Sequence, residues 1–196
     1  MRLPTFQPRR LFNRVKLPST AAGERAYAIG DVHGRLDLLR RLIKQLRADA
    51  QSGTQHRARI ILLGDLIDRG LHSRGVLEVV RRVQLHNSGR IVVLCGNHED
   101  MLLASVGGNG DAQRLWIDNG GDATLQSYGL DTAEFMKLNA RERGTVLQNA
   151  VGADTLDWLH SLPVLYRSGD YFFCHAGIRP GVPLNKQRRE DLLWIR

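Results

Sequence analysis

Cysteine is scarce in this chain, two residues in 196, and both Cys95 and Cys174 close apolar runs (IVVLC and YFFC). Thiols so placed read as buried and free, which argues against a disulfide framework or a thiolate-held metal and fits a reducing compartment. Long apolar runs are lacking as well. None approaches the roughly 18 residues of a membrane span, and the first residues carry no signal-peptide core. These absences point to a soluble cytoplasmic protein with no membrane partner. Acidic residues are outnumbered, 20 against 28 Lys and Arg, leaving a net charge of +8. A basic excess invites a nucleic-acid reading. Its placement argues otherwise: residues 1–25 hold Arg2, Arg9, Arg10, Arg14, Lys16 and Arg25 against Glu24 alone, so +5 of the +8 falls there. With three prolines and no helical period, residues 1–25 are expected to be a basic arm, mobile or loosely docked. No nucleic-acid partner is expected.

At 196 residues and 42% apolar, the rest suits one domain, residues 26–196. "AYAIG" (26–30) reads as a strand, and "LDLLRRLIKQLRADA" (36–50) spaces Leu36, Leu39, Leu42, Ile43 and Leu46 as a helix does. A second strand is predicted at 58–64, a second helix at 73–86, and a third strand at 90–96 with a helix beginning near Glu99. Alternation of this kind implies right-handed crossovers and a parallel sheet covered by helices. Residues 107–152, broken by "GGNG" and "DNGGD", are expected to form an irregular, mostly helical insertion. A helix at 154–162 and two strands around Ser168-Gly169-Asp170 follow.

Each crossover strand ends in glycine followed by polar residues: Gly30-Asp31-Val32-His33-Gly34, Gly64-Asp65 and Gly96-Asn97-His98-Glu99. A fourth such turn, His175-Ala176-Gly177, follows "YFFC". In a parallel sheet the C-terminal strand ends share one edge, where open α/β folds bind ligands. Asp31, His33, Asp65, Asn97 and His175 are therefore expected to converge. Hard oxygens with imidazoles suit Mn, Fe or Zn better than Ca. Five ligands exceed what one catalytic ion with open positions needs, whereas a shared carboxylate makes the count sensible for two. Taken singly, Asp31, Asp65 and Asn97 would read as turn or cap residues. Their joint placement favours the metal. His56, His72, His86 and His160 have no such context. Glu99 and Asp100 read as first-turn helix charges, with support of a ligand also open to Glu99.

Together, GDVHG (30–34), GDLIDRG (64–70), GNHE (96–99) and HAG (175–177) resemble the phosphoprotein phosphatase family of metallophosphoesterases, in order and spacing over residues 26–196. "WIDNGGDATLQSYG" (116–129) and "EDLLWIR" (190–196) resemble its bacterial and phage serine/threonine phosphatase branch. The resemblance implies an α/β metallophosphoesterase (calcineurin-like) fold, a β-sandwich flanked by helices. It assigns one metal to Asp31, His33 and Asp65 and a second to Asp65, Asn97 and His175, with manganese the first expectation. It makes His98 the general acid, oriented by Asp68, and gives the substrate phosphate to Arg69, Asn97 and Arg196. Hydroxide bridging the two ions would attack phosphorus in line. The family pattern continues past "LLWIR" with further strands and a Gly-His-Thr turn, and no histidine follows His175 here. The expectation is a fold without its C-terminal strands and a second metal site weaker than the first.

The function implied is metal-dependent hydrolysis of phosphate monoesters, with phosphoserine or phosphothreonine in proteins as substrate. The alternative is a dinucleoside tetraphosphate hydrolase, a related branch in which the residues matching Asp68 and Glu99 are commonly replaced. A binding module recruiting a partner through the basic arm is a third reading, but a pure binder has no need of an acid, a bridging carboxylate and an arginine together.

Overall fold

A computed structural model describes residues 17–52, 57–87 and 89–196 of the chain. Most of the basic arm (1–16) and His56 lie outside the described residues. Arg57–Leu62 (β2) is the middle of three parallel strands, flanked by Glu24–Ile29 (β1) and Ile91–Val93 (β3). A strand covered on both faces has no solvent side for polar residues to occupy. The β2 sequence accordingly ends in the apolar run Ile60, Ile61, Leu62, with Ile61 fully buried.

Helices Leu36–Ser52 (α1) and Ser73–His86 (α2) make the crossovers. In α2, Ser73, Val76, Leu77 and Val80 are buried, the i, i+3, i+4, i+7 stripe of an amphipathic helix. α1 seats less deeply than its period predicts. Leu39 is buried, Leu36, Ile43 and Leu46 pack partly against the core, and Leu42 stays exposed. A cavity of about 570 Å³ remains between α1, α2 and the sheet, lined by Tyr27, Ile43, Leu46, Ile60, Val80 and Ile91 among others.

β3 is shorter than expected, and the helix after it, Asn97–Val106 (α3), starts at Asn97 rather than near Glu99. Glu99 is the cause: its carboxylate reaches back to accept the Gly96 N–H at 2.8 Å, closing the first turn two residues early.

The region 107–152 is more regular than its glycines suggest. Gly110–Trp116 (α4) runs through a π-helical turn, Ile117–Gly121, into Asp122–Ser127 (α5), and Thr132–Lys137 (α6) and Ala140–Val151 (α7) follow. Polar caps set these starts. Asn109 Oδ1 accepts the N–H of Asp111 and Ala112, Asp131 caps Glu134, and Asn139 and Glu142 form a reciprocal capping box. Glycine breaks the apolar period of α7 but admits close packing, since a Cβ on Gly144 would meet the Val106 carbonyl of α3.

Ala153–Ser161 (α8) leads to the antiparallel hairpin Leu165–Ser168 (β4) and Tyr171–Cys174 (β5), a sheet separate from the first. Ser168 Oγ donates to Glu24 Oε1, and the backbone N–H of Ala21 donates to Ser168 Oγ, so the hairpin is tied to the start of β1. Arg189–Trp194 (α9) closes the described chain, its Leu192 carbonyl accepting the Ala176 N–H at 2.8 Å. No helix among the described residues is long and apolar enough to cross a membrane. Both cysteines are free, Cys95 buried and Cys174 only half-buried.

Candidate metal centre

The turns after β1, β2 and β3 meet at the C-terminal edge of the parallel sheet and are stitched together by backbone bonds. Val32 and His33 N–H both donate to the Asp65 carbonyl at 2.9 Å, and Gly34 N–H donates to the Leu66 carbonyl at 2.9 Å. The turns are strained where the chemistry-bearing residues sit. Among the described residues the non-glycines with positive φ are His33 (42°), Asp65 (50°), Asp68 (71°) and Arg69 (64°). A non-glycine residue in the left-handed region costs about 1–3 kcal/mol, and such strain persists only where the surroundings impose it. Leu66 and Ile67, both fully buried within this turn, each contribute about 1.5–3 kcal/mol by burial. That burial opposes the strain of the same turn.

Asp65 is the centre of the cluster. It is 3% exposed, and its Oδ2 lies 3.4 Å from His175 Nε2, 3.8 Å from His33 Nε2 and 3.8 Å from His98 Nε2. Asp31, half exposed, brings its Oδ2 to 3.7 Å from His33 Nε2. Asn97 Oδ1 lies 2.8 Å from His175 Nε2. Candidate ligand atoms fall into two groups, Asp31, Asp65 and His175, and His33, Asp65 and His98, each within 4.8 Å and both sharing Asp65. Asp31, His33 and Asp65 also lie together, His33 Nε2 being 3.7 Å from Asp31 Oδ2 and 3.8 Å from Asp65 Oδ2, so the grouping expected from the sequence is compatible with the geometry, with His98 an additional neighbour of Asp65.

The donor set fits divalent cations. His33 Nδ1 lies 2.8 Å from the Ile67 carbonyl and His175 Nδ1 lies 3.1 Å from the Leu63 carbonyl. A carbonyl only accepts, so each Nδ1 carries a proton and each Nε2 is the nitrogen turned toward the cluster. His175 Nε2, Asn97 Oδ1 and Asp65 Oδ2 thus face one another, a nitrogen and oxygen donor set that suits a cation.

His98 and Asp68 form a buried pair beside this cluster, His98 Nδ1 to Asp68 Oδ2 at 2.7 Å, with side chains 1% and 0% exposed. On its other side Nε2 of His98 faces an Arg69 amine at 3.1 Å, and the second Arg69 amine lies 3.0 Å from His33 Nε2. Arg69 is exposed, so its guanidinium stands over the cluster at the solvent boundary. Arg196 is not brought in. It is exposed, and among the described residues it makes no hydrogen bond or ion pair with the cluster, although the preceding Ile195 packs on Gly177 of the His175 turn.

Glu99 is fully buried rather than a surface first-turn charge. It accepts the backbone N–H groups of Asp65, Leu66 and Gly96, each at 2.8 Å, and so fixes the turn that carries Asp65. Burial, and then the negative charge of Asp65, pushes its carboxyl up to about 7, and the three backbone donors pull against that rise. Asp100, by contrast, pairs with Arg189 at 2.8 Å at the surface.

Three further contributors were not read from the sequence. Trp116 and Thr124 hydrogen-bond to the Asp68 carboxylate, and the Gly120 carbonyl accepts the Arg69 N–H at 3.0 Å. All belong to the stretch "WIDNGGDAT", noticed only as a resemblance. A Trp, Gly and Thr at four-residue intervals was the available signal.

An open α/β sheet whose strand-end turns gather carboxylate, amide and imidazole around one aspartate forms a candidate site for divalent cations. The chain belongs to the calcineurin-like phosphoesterase family, whose pattern matches residues 25–196. Members of that family bind divalent metals. The chain is 32% identical over 162 residues to a symmetrical bis(5'-nucleosyl)-tetraphosphatase of Dechloromonas aromatica, covering 83% of this chain and 47% of that protein. It is 26% identical over 194 residues to serine/threonine-protein phosphatase 1 of Salmonella typhimurium, covering 97% of this chain and 76% of that one. A crystal structure provisionally assigned as a diadenosine tetraphosphatase shares the fold, with a TM-score of 0.55, 22% identity, and coverage of 90% of this chain and 60% of that one. The chain spans about half the length of the tetraphosphatases it matches.

Proposed function

We propose that this chain carries the metal-binding part of a phosphate hydrolase whose substrates are dinucleoside tetraphosphates. The observation that carries the hydrolytic reading is the convergence of His33, His98 and His175 on the single buried Asp65. Asp31, His33, Asp65, Asn97 and His175 would hold two divalent ions, which supply an activated water and neutralise the phosphate oxygens. Arg69 would bind a phosphate in a bidentate way, a reading supported by its two terminal amines being turned toward the cluster. Asn97 would share that phosphate. His98, with Nδ1 held by Asp68, would present Nε2 as a proton donor to the leaving oxygen. Arg196 is given no role. The nucleotide substrate is supported by the 32% identical relatives, which displaces the phosphoprotein reading from first place.

A specific observation keeps the phosphoprotein reading as the second one. The Asp68–His98 pair is sealed from solvent at 2.7 Å. A buried acid matters most when the leaving group is a poor one, such as the alkoxide of serine, and least when it is a nucleoside diphosphate. The Salmonella phosphatase also aligns over nearly the whole chain. Turnover of diadenosine tetraphosphate and of a phosphoserine peptide, each with Mn, Fe or Zn, decides between them. A kcat/KM at least about tenfold higher for the dinucleotide is expected. The reverse ratio selects the phosphoprotein, and turnover of neither with any metal overturns both.

A further inference from the structure

The path from α4 through the π-helical turn to α5 places Trp116, Gly120 and Thr124 four residues apart on one face. That face is pressed onto the strained Asp68-Arg69 dipeptide. Trp116 Nε1–H donates to Asp68 Oδ2 at 2.9 Å and Oδ1 at 3.1 Å. Thr124 Oγ–H donates to Asp68 Oδ1 at 2.6 Å, and the same oxygen accepts the Asp68 N–H at 3.0 Å, which Ser73 Oγ also receives. Gly120, at a φ of 101°, accepts the Arg69 N–H, and a Cβ there would meet the Arg69 side chain. Asp68 and Trp116 are fully buried and Thr124 is 1% exposed. Bulk solvent therefore does not reach the arrangement. With donors on both oxygens, the carboxylate is held in one rotation, and the orientation left over points Oδ2 at His98.

We propose that Thr124 and Trp116 are positioning residues for proton transfer. Through Asp68 they fix the His98 imidazole with its proton on Nδ1 and its Nε2 toward the cluster. The catalytic consequence rests on the reading of His98 as proton donor, whereas the orientation itself does not. Removing the Thr124 hydroxyl leaves Oδ1 short of a donor and the Asp68 N–H with Ser73 alone. The carboxylate can then rotate, and the imidazole loses its fixed partner.

The test uses the whole chain as Thr124→Val, Thr124→Ser and Trp116→Phe. In metal-free protein, proton–nitrogen correlation spectra should show a His98 Nδ1–H protected from exchange. This signal is expected to shift or be lost in Thr124→Val and Trp116→Phe, and to return in Thr124→Ser. With metal, Thr124→Val should lower kcat on a phosphoserine peptide by about tenfold, part of the 10²–10⁴ a general acid supplies. KM should be unchanged, and the loss on p-nitrophenyl phosphate should stay under about twofold because that leaving group needs little protonation. If Thr124→Val does not fold, Trp116→Phe answers the same question. A His98 signal unmoved in folded Thr124→Val and Trp116→Phe overturns the inference, as does equal kcat loss on both esters. If His98→Asn itself shows no dependence on leaving group, the proton-donor reading falls, and the imidazole signal still decides whether Thr124 and Trp116 position His98.

Discussion

Gly64 and Gly96 lie back to back beneath the Asp65 carboxylate: a Cβ on Gly64 would strike the Gly96 backbone, and one on Gly96 would strike Asp65 Oδ1. The two turns touch through bare backbone, which allows Asp65 and Asn97 to share one site. Gly96→Ala should therefore destabilise the fold by about 1–3 kcal/mol, the usual cost of overpacking, and displace Asp65. Urea denaturation should show a lower midpoint with an unchanged slope, and metal titration a weaker uptake. An unchanged midpoint and affinity would mean that the turns separate freely.

Asp65→Asn should lower the number of divalent ions bound, since both ligand groups include this carboxylate. Hydrolysis should fall with it, because stabilisation by the ions is worth several kcal/mol at the transition state. Elemental analysis after dialysis is the direct measurement. Metal content equal to that of the parent chain would remove Asp65 from the bridging position.

His98→Asn should fold and bind metal as the parent does, while hydrolysis of a phosphoserine peptide drops by roughly 10²–10⁴. Loss on an aryl phosphate should be much smaller. A linear free-energy series over leaving groups distinguishes the two, with a steeper dependence expected in the variant. Parallel lines would argue that His98 does not protonate the leaving oxygen.

Glu99→Gln should destabilise the chain although it changes one atom. The carboxylate receives three backbone N–H groups, and an amide offers one acceptor oxygen and turns two N–H donors toward them. An unpaired buried N–H costs about 1–3 kcal/mol. A fall in thermal midpoint is the expected readout, together with weaker metal uptake as the Asp65 turn loosens. A variant as stable as the parent would show that ordered water replaces the lost acceptor.

Local sequence was enough to find the crossover strands, helix α2 and the β4–β5 hairpin. Buried strands need continuous apolar runs, amphipathic helices need the 3.6 period, and each signal lies within one segment. The same reading put Asp31, His33, Asp65 and Asn97 on one edge, since a parallel sheet puts the ends of its strands there, whereas His175 follows β5 of the separate antiparallel hairpin and reaches Asp65 only through tertiary packing. The family resemblance supplied roles for Asp68, Arg69 and His98, and the structure brings all three against the cluster. The preference for phosphoprotein over nucleotide, drawn from Asp68 and Glu99, did not lead to the substrate class that the 32% identical relatives favour.

Tertiary structure alone decided how the site is supported. Trp116 and Thr124 reach Asp68 across 48 and 56 residues of chain, and no local period encodes a hydrogen bond over such a separation. Burial of Glu99 is of the same kind. Its position in the first turn of α3 reads as a solvent-facing charge, and only the packing of the Asp65 turn against it removes the water. The sequence determined which groups could meet at the sheet edge, because strand direction and alternation are local properties. Which of them are dry, strained and held in one orientation depended on the helical insertion closing over the Asp68-Arg69 turn, because burial and orientation belong to the assembled packing rather than to any one segment.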